Sequence, residues 1–249
     1  MGRYDAPGDE PLAIASRLTL QEPFRLDRAL VKRLRLREVN TKEAFTIRDG
    51  SGTWFRAAFK ESDSDGGLAL PYERMDRSPE PTIDITLACA ILARQRMLLV
   101  MQKATELGVM RIVPLLTDFS VHPEGLQLEQ PHAWAGHITR AAKQCRRDSL
   151  PQLLPPTPLD ALLASPTFAA ADLRLFLDDR SESAPHPPGP PQRIVLLVGP
   201  EGGFSDLERT RLAGKARPWV LGGRILRAET AVIVGLTAIH MAWGDFTAA

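Results

Sequence analysis

The chain has 249 residues, enough for one large domain or two modest ones, and its 44% hydrophobic and 24% charged residues sit near globular averages. That composition excludes a wholly disordered or collagen-like chain, and no run approaches the roughly eighteen apolar residues of a membrane helix. The formal net charge of +1 says nothing about partners; the placement of the charges says more.

The N-terminal stretch MGRYDAPGDEPLAIASRL lacks the apolar core of a secretory signal. Two cysteines, Cys89 and Cys145, are too few for a disulfide scaffold or a CxxC zinc site and favour a cytoplasmic protein. Residues 1–16 read as a frayed or strapped terminus. Arg25, Arg28, Lys32, Arg33, Arg35 and Arg37 then crowd into thirteen residues. Ala44–Ile47 and Thr53–Phe59 read as two strands around the turn Arg48–Gly52, a hairpin, and Ser62–Gly67 as a second turn. This part is expected to be a small β-rich module ending near residue 78.

After Pro79 and Pro81 the pattern changes. Ile83, Ile85 and Leu87 alternate with polar residues as in a strand, and Met97, Val100, Met101 and Ala104 follow a helix period that ends at Gly108. Arg111–Leu116 is a strand, and Gln130 to Asp148 a helix with Trp134, Ile138, Ala141 and Cys145 on its apolar stripe. On its other face Arg140, Lys143 and Arg147 fall at i, i+3 and i+7, a second basic cluster. Gln152–Leu154 and Leu173–Leu177 are strands, with a short helix over Leu159–Ala164 between them. A proline-rich loop with Pro185, His186 and Pro191 precedes the apolar strand Arg193–Val198. A helix from Asp206, a strand at Trp219–Leu221 and a nearly all-apolar helix from Ala228 to Ala242 complete the chain. Strand and helix alternate from residue 82 on, which predicts an α/β domain with a mostly parallel sheet over residues 79–249 and ligands at the carboxyl ends of its strands.

Two glycine-bearing loops leave a strand and enter a helix. The first is Gly199-Pro200-Glu201-Gly202-Gly203-Phe204, where Ser205 and Glu208 fit a capping box for the next helix. A carboxylate at Glu201 would repel a phosphate and suits a ligand offering hydroxyls, an amine or a sulfonium. The second is Leu221-Gly222-Gly223-Arg224-Ile225-Leu226-Arg227, followed by Glu229, Thr230 and Ala231 in the first helical turn. Loops on neighbouring strands can form one pocket. No dinucleotide fingerprint, phosphate loop, serine-hydrolase elbow or zinc-protease motif is present, and the five histidines have no metal spacing.

These residues resemble the RsmE-type SPOUT methyltransferases. The likeness rests on Gln102–Val109, Arg140–Arg147, Gly199–Glu208 and Leu221–Ala231, in that order, and covers about residues 90–240. The resemblance implies transfer of a methyl group from S-adenosylmethionine to N3 of a uridine in 16S ribosomal RNA, on naked RNA or the small subunit. It also implies a SPOUT-like parallel sheet with a C-terminal trefoil knot, a PUA-like RNA-binding domain over residues 1–78, and a homodimer. Cofactor contacts would come from Leu116 and Thr117, from Val198, Gly199, Pro200, Glu201, Gly202 and Gly203, and from Leu221, Gly222, Ile225, Leu226, Arg227, Thr230 and Ala231. Arg227 and Glu229 are the expected catalytic pair: the cation favours an anionic base, and Glu229 or Glu201 organises the site. RNA contacts are expected from Arg25, Arg28, Lys32, Arg33, Arg35, Arg140, Lys143 and Arg147. The chain departs from the family pattern where relatives usually carry an arginine near Asp118-Phe119-Ser120 and a proline at Gly223. Two other readings compete: a non-catalytic RNA-binding or ribosome-assembly protein that kept the fold, and a nucleotide-dependent enzyme using the glycine loops for phosphates.

Overall fold

A computed structural model describes residues 11–180 and 189–246. The expectations for the first ten residues, and for the proline-rich stretch around Pro185 and His186, fall outside the described residues. The described residues form two compact units: one is residues 11–80 together with Ile138–Leu150, the other is Pro81–His137 and the described residues from Pro151 on. The sequence reading placed the division after residue 78 and gave everything beyond it to one domain. Instead, Ile138–Leu150 groups with the N-terminal unit.

The N-terminal unit holds β1 (Phe24–Asp27), α1 (Arg28–Leu36), β2 (Ala44–Arg48), β3 (Trp54–Asp63) and β4 (Gly66–Arg74). Its sheet is antiparallel in the order β1-β4-β3-β2. The β2–β3 hairpin sets Phe45 against Ala57 and Ile47 against Phe55. Asp49 closes its turn by accepting from the amides of Ser51 (2.9 Å) and Thr53 (3.0 Å). Alternation along β3 buries Phe55, Ala57 and Phe59, and Leu30, Val31 and Leu34 of α1 join the same core. The helix starts where it does because the Asp27 carboxylate accepts from the Leu30 amide at 2.7 Å. So the arginine-rich stretch is a helix within the β-rich unit.

The second unit contains β5 (Asp84–Ala90), α2 (Arg94–Glu106), β6 (Arg111–Leu116), the start of α3 (Trp134–Gln144), β7 (Gln152–Leu153) and β8 (Thr157–Pro158). It continues with α4 (Leu159–Leu163), α5 (Pro166–Ala169), β9 (Leu173–Leu177), β10 (Arg193–Val198), α6 (Asp206–Leu212), β11 (Arg217–Trp219) and α7 (Ala228–Trp243). The sheet has seven strands in the order β11-β9-β10-β5-β6-β7, with β8 also on β6, and every pairing is parallel. β10 lies between β9 and β5 with Ile194–Val198 buried, which is why it reads as an unbroken apolar run. α7 packs on α2 and β10, and Gly235 permits the approach: a Cβ there would lie 3.2 Å from Leu196 Cδ2. β11 begins two residues earlier than expected, leaving Val220 and Leu221 in the loop that follows. Among the described residues no helix is long and apolar enough to cross a membrane.

Candidate active site

The carboxyl ends of β9, β10 and β11 open into one cleft of about 350 Å³, within the range of small-molecule sites. Three loops wall it: Leu177–Arg180 after β9, Val198–Phe204 after β10, and Trp219–Leu226 after β11, with Ala228 and Ala231 from the first turn of α7. Parallel strands side by side deliver their following loops to the same edge of the sheet, which is why these three loops meet.

The loop after β10 is held in shape from both sides. The Gly203 amide donates to the Pro200 carbonyl at 2.8 Å, and Gly203 adopts φ +71, a backbone region that glycine enters without penalty. A Cβ at Gly199 would lie 3.1 Å from the Gly203 carbonyl carbon, a tight contact to which the loop would have to yield. The expected capping box is present: Ser205 Oγ accepts from the Glu208 amide, and the Glu208 carboxylate accepts from the Ser205 amide at 2.9 Å. Glu208 is almost wholly buried and also accepts from the Asp118 amide at 3.0 Å, while Ser205 Oγ donates to Asp118 at 2.5 Å. One carboxylate therefore joins the loop after β6 to the loop after β10.

The walls combine an apolar lining with a few acids. Leu177, Val198, Phe204, Trp219, Leu221 and Leu226 supply apolar surface, and Asp178, Asp179 and Glu201 supply carboxylates. Asp178 is mostly buried and bonded to Arg209 at 2.9 Å, whereas Asp179 is exposed. Glu201 is ion-paired with Arg96 at the start of α2. A Cβ at Gly222 or Gly223 would meet nothing within 4 Å, so this side of the cleft has open room. Apolar walls for a flat ring, carboxylates for hydroxyls and a cationic centre, and bare backbone for close approach fit a nucleoside bearing a sulfonium.

Most of the expected cofactor residues line this cleft: Val198, Gly199, Pro200, Glu201, Gly202, Gly203, Leu221, Gly222, Ile225, Leu226 and Ala231. Leu116 and Thr117 do not. β6 lies two strands away from β10, with β5 between, and the third wall is the loop after β9. Arg227, Glu229 and Thr230 are also outside the lining. Ala228 and Ala231, three residues apart on α7, turn toward the cleft, which sends the residues between them elsewhere around the helix. Arg227 is exposed at the N-cap of α7. Glu229 is buried, its Oε2 has no hydrogen-bond partner, and its charge reaches Cys89 at the end of β5. Burial first, and Glu229 second, push the Cys89 thiol up to about 12, so it is no nucleophile at neutral pH. Asp178, Asp179, Arg180 and Trp219 were missed by the sequence reading. Acids directly after an apolar strand were the available signal, but strand order, which makes β9 the neighbour of β10, is not written in that local pattern.

The expected RNA-binding residues have varied fates. Arg25 and Arg28 are exposed and each paired at 2.7 Å, with Asp63 and Asp65 respectively. Arg33 donates to the Pro11 carbonyl and Arg35 to Ser62 Oγ, while Lys32 and Arg140 are exposed. Lys143 donates to the Glu38 carbonyl (2.7 Å) and to Glu43 (2.8 Å). Arg147 is a correction. The helix stops at Gln144, Arg146 takes a left-handed φ of +67, and the Arg147 side chain, 2% exposed, pairs with Glu80 at 2.7 Å. It holds the N-terminal unit together and presents no cation to a ligand.

Known proteins resemble this chain in sequence and in fold. The family described as an RNA methyltransferase domain matches residues 78–240. The ribosomal RNA small subunit methyltransferase E of Synechocystis sp. is 31% identical over 212 residues, 80% of this chain and 66% of that protein. The protein of the same name from Mesomycoplasma hyopneumoniae is 32% identical over 168 residues, 66% of this chain and 73% of that one. Among solved structures, the ribosomal RNA small subunit methyltransferase E of Neisseria gonorrhoeae, bound to S-adenosyl methionine, is similar with a TM-score of 0.68 at 27% identity, over 95% of this chain and 99% of that one.

Proposed function

The chain belongs to the RNA methyltransferase family of the small-subunit methyltransferase E kind, and from that membership we propose that it methylates N3 of a uridine in 16S ribosomal RNA, using S-adenosylmethionine. The single observation that carries this reading is the three-loop cleft at the carboxyl ends of β9, β10 and β11. When bound, the cofactor supplies an electrophilic methyl carbon on a cationic sulfur. The residues that would hold it are the bare backbone of Gly199–Gly203, the apolar walls from Leu177, Trp219 and Leu226, and the acids Asp178 and Asp179.

N3 of uridine carries a proton and lies on the pairing edge, so the base must be unpaired and its anion favoured. Arg227, exposed beside the cleft residues Leu226 and Ala228, is the cation for that anion. Glu229, buried with one free oxygen in the first turn of α7, organises the loop that carries Arg227. Much of the rate comes from alignment of donor and acceptor, which a clamped loop can provide. Arg227→Ala is expected to abolish transfer to undermodified small subunits, read with labelled S-adenosylmethionine and mass spectrometry, while calorimetry finds cofactor affinity near wild type. Unchanged transfer would remove Arg227 from the chemistry.

The same reading extends to the rest of the molecule. The chain after β11 returns across the strand ends to α7 on β10, a path that supports a threaded C-terminus of the trefoil kind. The four-stranded N-terminal sheet with α1 supports a PUA-like RNA-binding role for residues up to about 78, with Arg25, Arg28, Lys32, Arg33, Arg35, Arg140 and Lys143 as phosphate contacts. Exposed Leu99 on α2 and Val234 and Met241 on α7 support a homodimer. Work on ribosomal RNA, and two cysteines that form no disulfide among the described residues, support a cytoplasmic place.

A further inference from the structure

Phe119 is an exposed aromatic residue beside the cleft whose character the proposed chemistry leaves unexplained. It sits in the loop after β6 and is 57% exposed. An exposed phenylalanine on a loose loop would be unremarkable, but this loop is pinned. The Thr117 amide donates to Ser120 Oγ at 2.9 Å, and that hydroxyl donates back to the Thr117 carbonyl at 2.9 Å. Between them, the Asp118 amide donates to the buried carboxylate of Glu208. Bonds on both sides of Phe119 thus fasten the backbone that carries its ring.

The ring stands against the cofactor loop. A Cβ built on Gly202 would lie 3.2 Å from Phe119 Cδ2 and 3.4 Å from Cγ, so the side of the ring near its Cβ rests on the bare backbone of Gly202. Gly202 itself lines the cleft. Phe119 is otherwise exposed, outside the cleft lining but beside a loop that forms one of its walls. A planar π surface on a fastened backbone, in a residue more than half exposed, matches an unpaired nucleobase, which can stack on an aromatic side chain whatever its sequence. Such a platform would also offset the cost of taking a uridine out of a paired stack.

The geometry points to Phe119 as a stacking platform for an unpaired base of the RNA substrate, beside the methyl-donor cleft. This rests on the proposed function, since it gives the reaction's acceptor a place. Four variants test it: Phe119→Tyr and Phe119→Trp keep an aromatic face, whereas Phe119→Leu and Phe119→Ala remove it. Undermodified small ribosomal subunits with labelled S-adenosylmethionine report turnover, and calorimetry reports cofactor affinity. KM for the subunit should rise about ten-fold or more in the Leu and Ala variants. It should stay within about two-fold of wild type in the Tyr and Trp variants, with cofactor affinity unchanged in all four. A Leu variant as good as wild type would overturn the proposal, because apolar contact alone would then suffice. Weakened cofactor binding, or an altered oligomeric state by light scattering, would also overturn it by giving Phe119 to the cofactor loop or to a subunit contact. If the wild-type protein transfers no methyl group, the functional reading has failed. Filter-binding of the same labelled subunits by the five proteins then decides the role of Phe119 independently: loss in Leu and Ala but not in Tyr and Trp upholds it, and uniform binding overturns it.

Discussion

Asp148 is wholly buried, and neither of its carboxylate oxygens accepts a hydrogen bond from an N–H donor. Burial first, and the neighbouring Glu80 second, push its carboxyl up to about 8. Burial would raise Glu80 as well, but the Arg147 charge and the hydrogen bonds from Arg147 and Ser149 hold it below its ordinary value. The two acids therefore pull stability in opposite directions. From the ordinary carboxylate range up to about pH 8 the folded chain keeps a proton on Asp148 that the unfolded chain has released. Stability drops through that window by at most about 1.4 kcal/mol per pH unit and levels off above it. The share held by Glu80 is present above its ordinary pKa and disappears as the pH falls through its depressed folded value. Asp148→Asn fixes the neutral form at every pH. Its urea midpoint should exceed wild type at pH 8 and approach it near about pH 4; a constant difference across that range would reject a neutral buried carboxyl. Little of this cluster was legible in the sequence. Arg147 reads as a surface cation because helical spacing carries it onto the face of Arg140 and Lys143. The residue that breaks the spacing, Arg146 at φ +67, is not of a type that announces a left-handed turn.

The elements of the parallel sheet were the most legible feature, and the reason is burial on both faces. β6, β9 and β10 appear in the sequence as short apolar runs with abrupt ends, and the structure gives them the expected limits. α2 shows its period because only one stripe of it is buried, through Met97, Val100, Met101 and Ala104. α1 was overlooked because nine residues with four basic side chains read as a charge cluster, and its three buried residues make too short a stripe. α6 illustrates what a cap can do beyond starting a helix. Its Glu208 accepts from the amides of Ser205 and Asp118, so two loops lean on one carboxylate. Glu208→Ala leaves both amides without that acceptor and should cost about 1–3 kcal/mol in urea unfolding. It should also weaken S-adenosylmethionine binding, since the loop from Gly199 to Gly203 ends at this cap. Glu208→Gln keeps an oxygen acceptor and should fall between. Cofactor affinity equal to wild type in the alanine variant would show that the loop holds its shape without the clamp.

At the scale of the whole molecule, the alternation of strand and helix from residue 82 on identified the parallel α/β unit, but not its strand order. Order is decided by which neighbours bury β10 on each side, and that information is spread from Asp84 to Val198. The role of the loop after β9 as the third wall of the cleft is unread in the sequence for that reason. Assignment of Ile138–Leu150 was equally hidden, because it depends on contacts to residues far earlier in the chain. Glu80 accepts from Arg147 and from the amides of Asp148 and Ser149, 67 to 69 residues later. Translation thus leaves the earlier unit unfinished: while Pro81–His137 emerges, a carboxylate destined for the interior is still waiting for its guanidinium. A fragment ending at Glu80 should show no cooperative urea transition, whereas the full chain should, and a sharp transition in the fragment would refute this dependence. Cutting the gene at the apparent seam would accordingly yield cripples rather than modules, because the stitch from residue 138 onward would be stranded on the wrong piece.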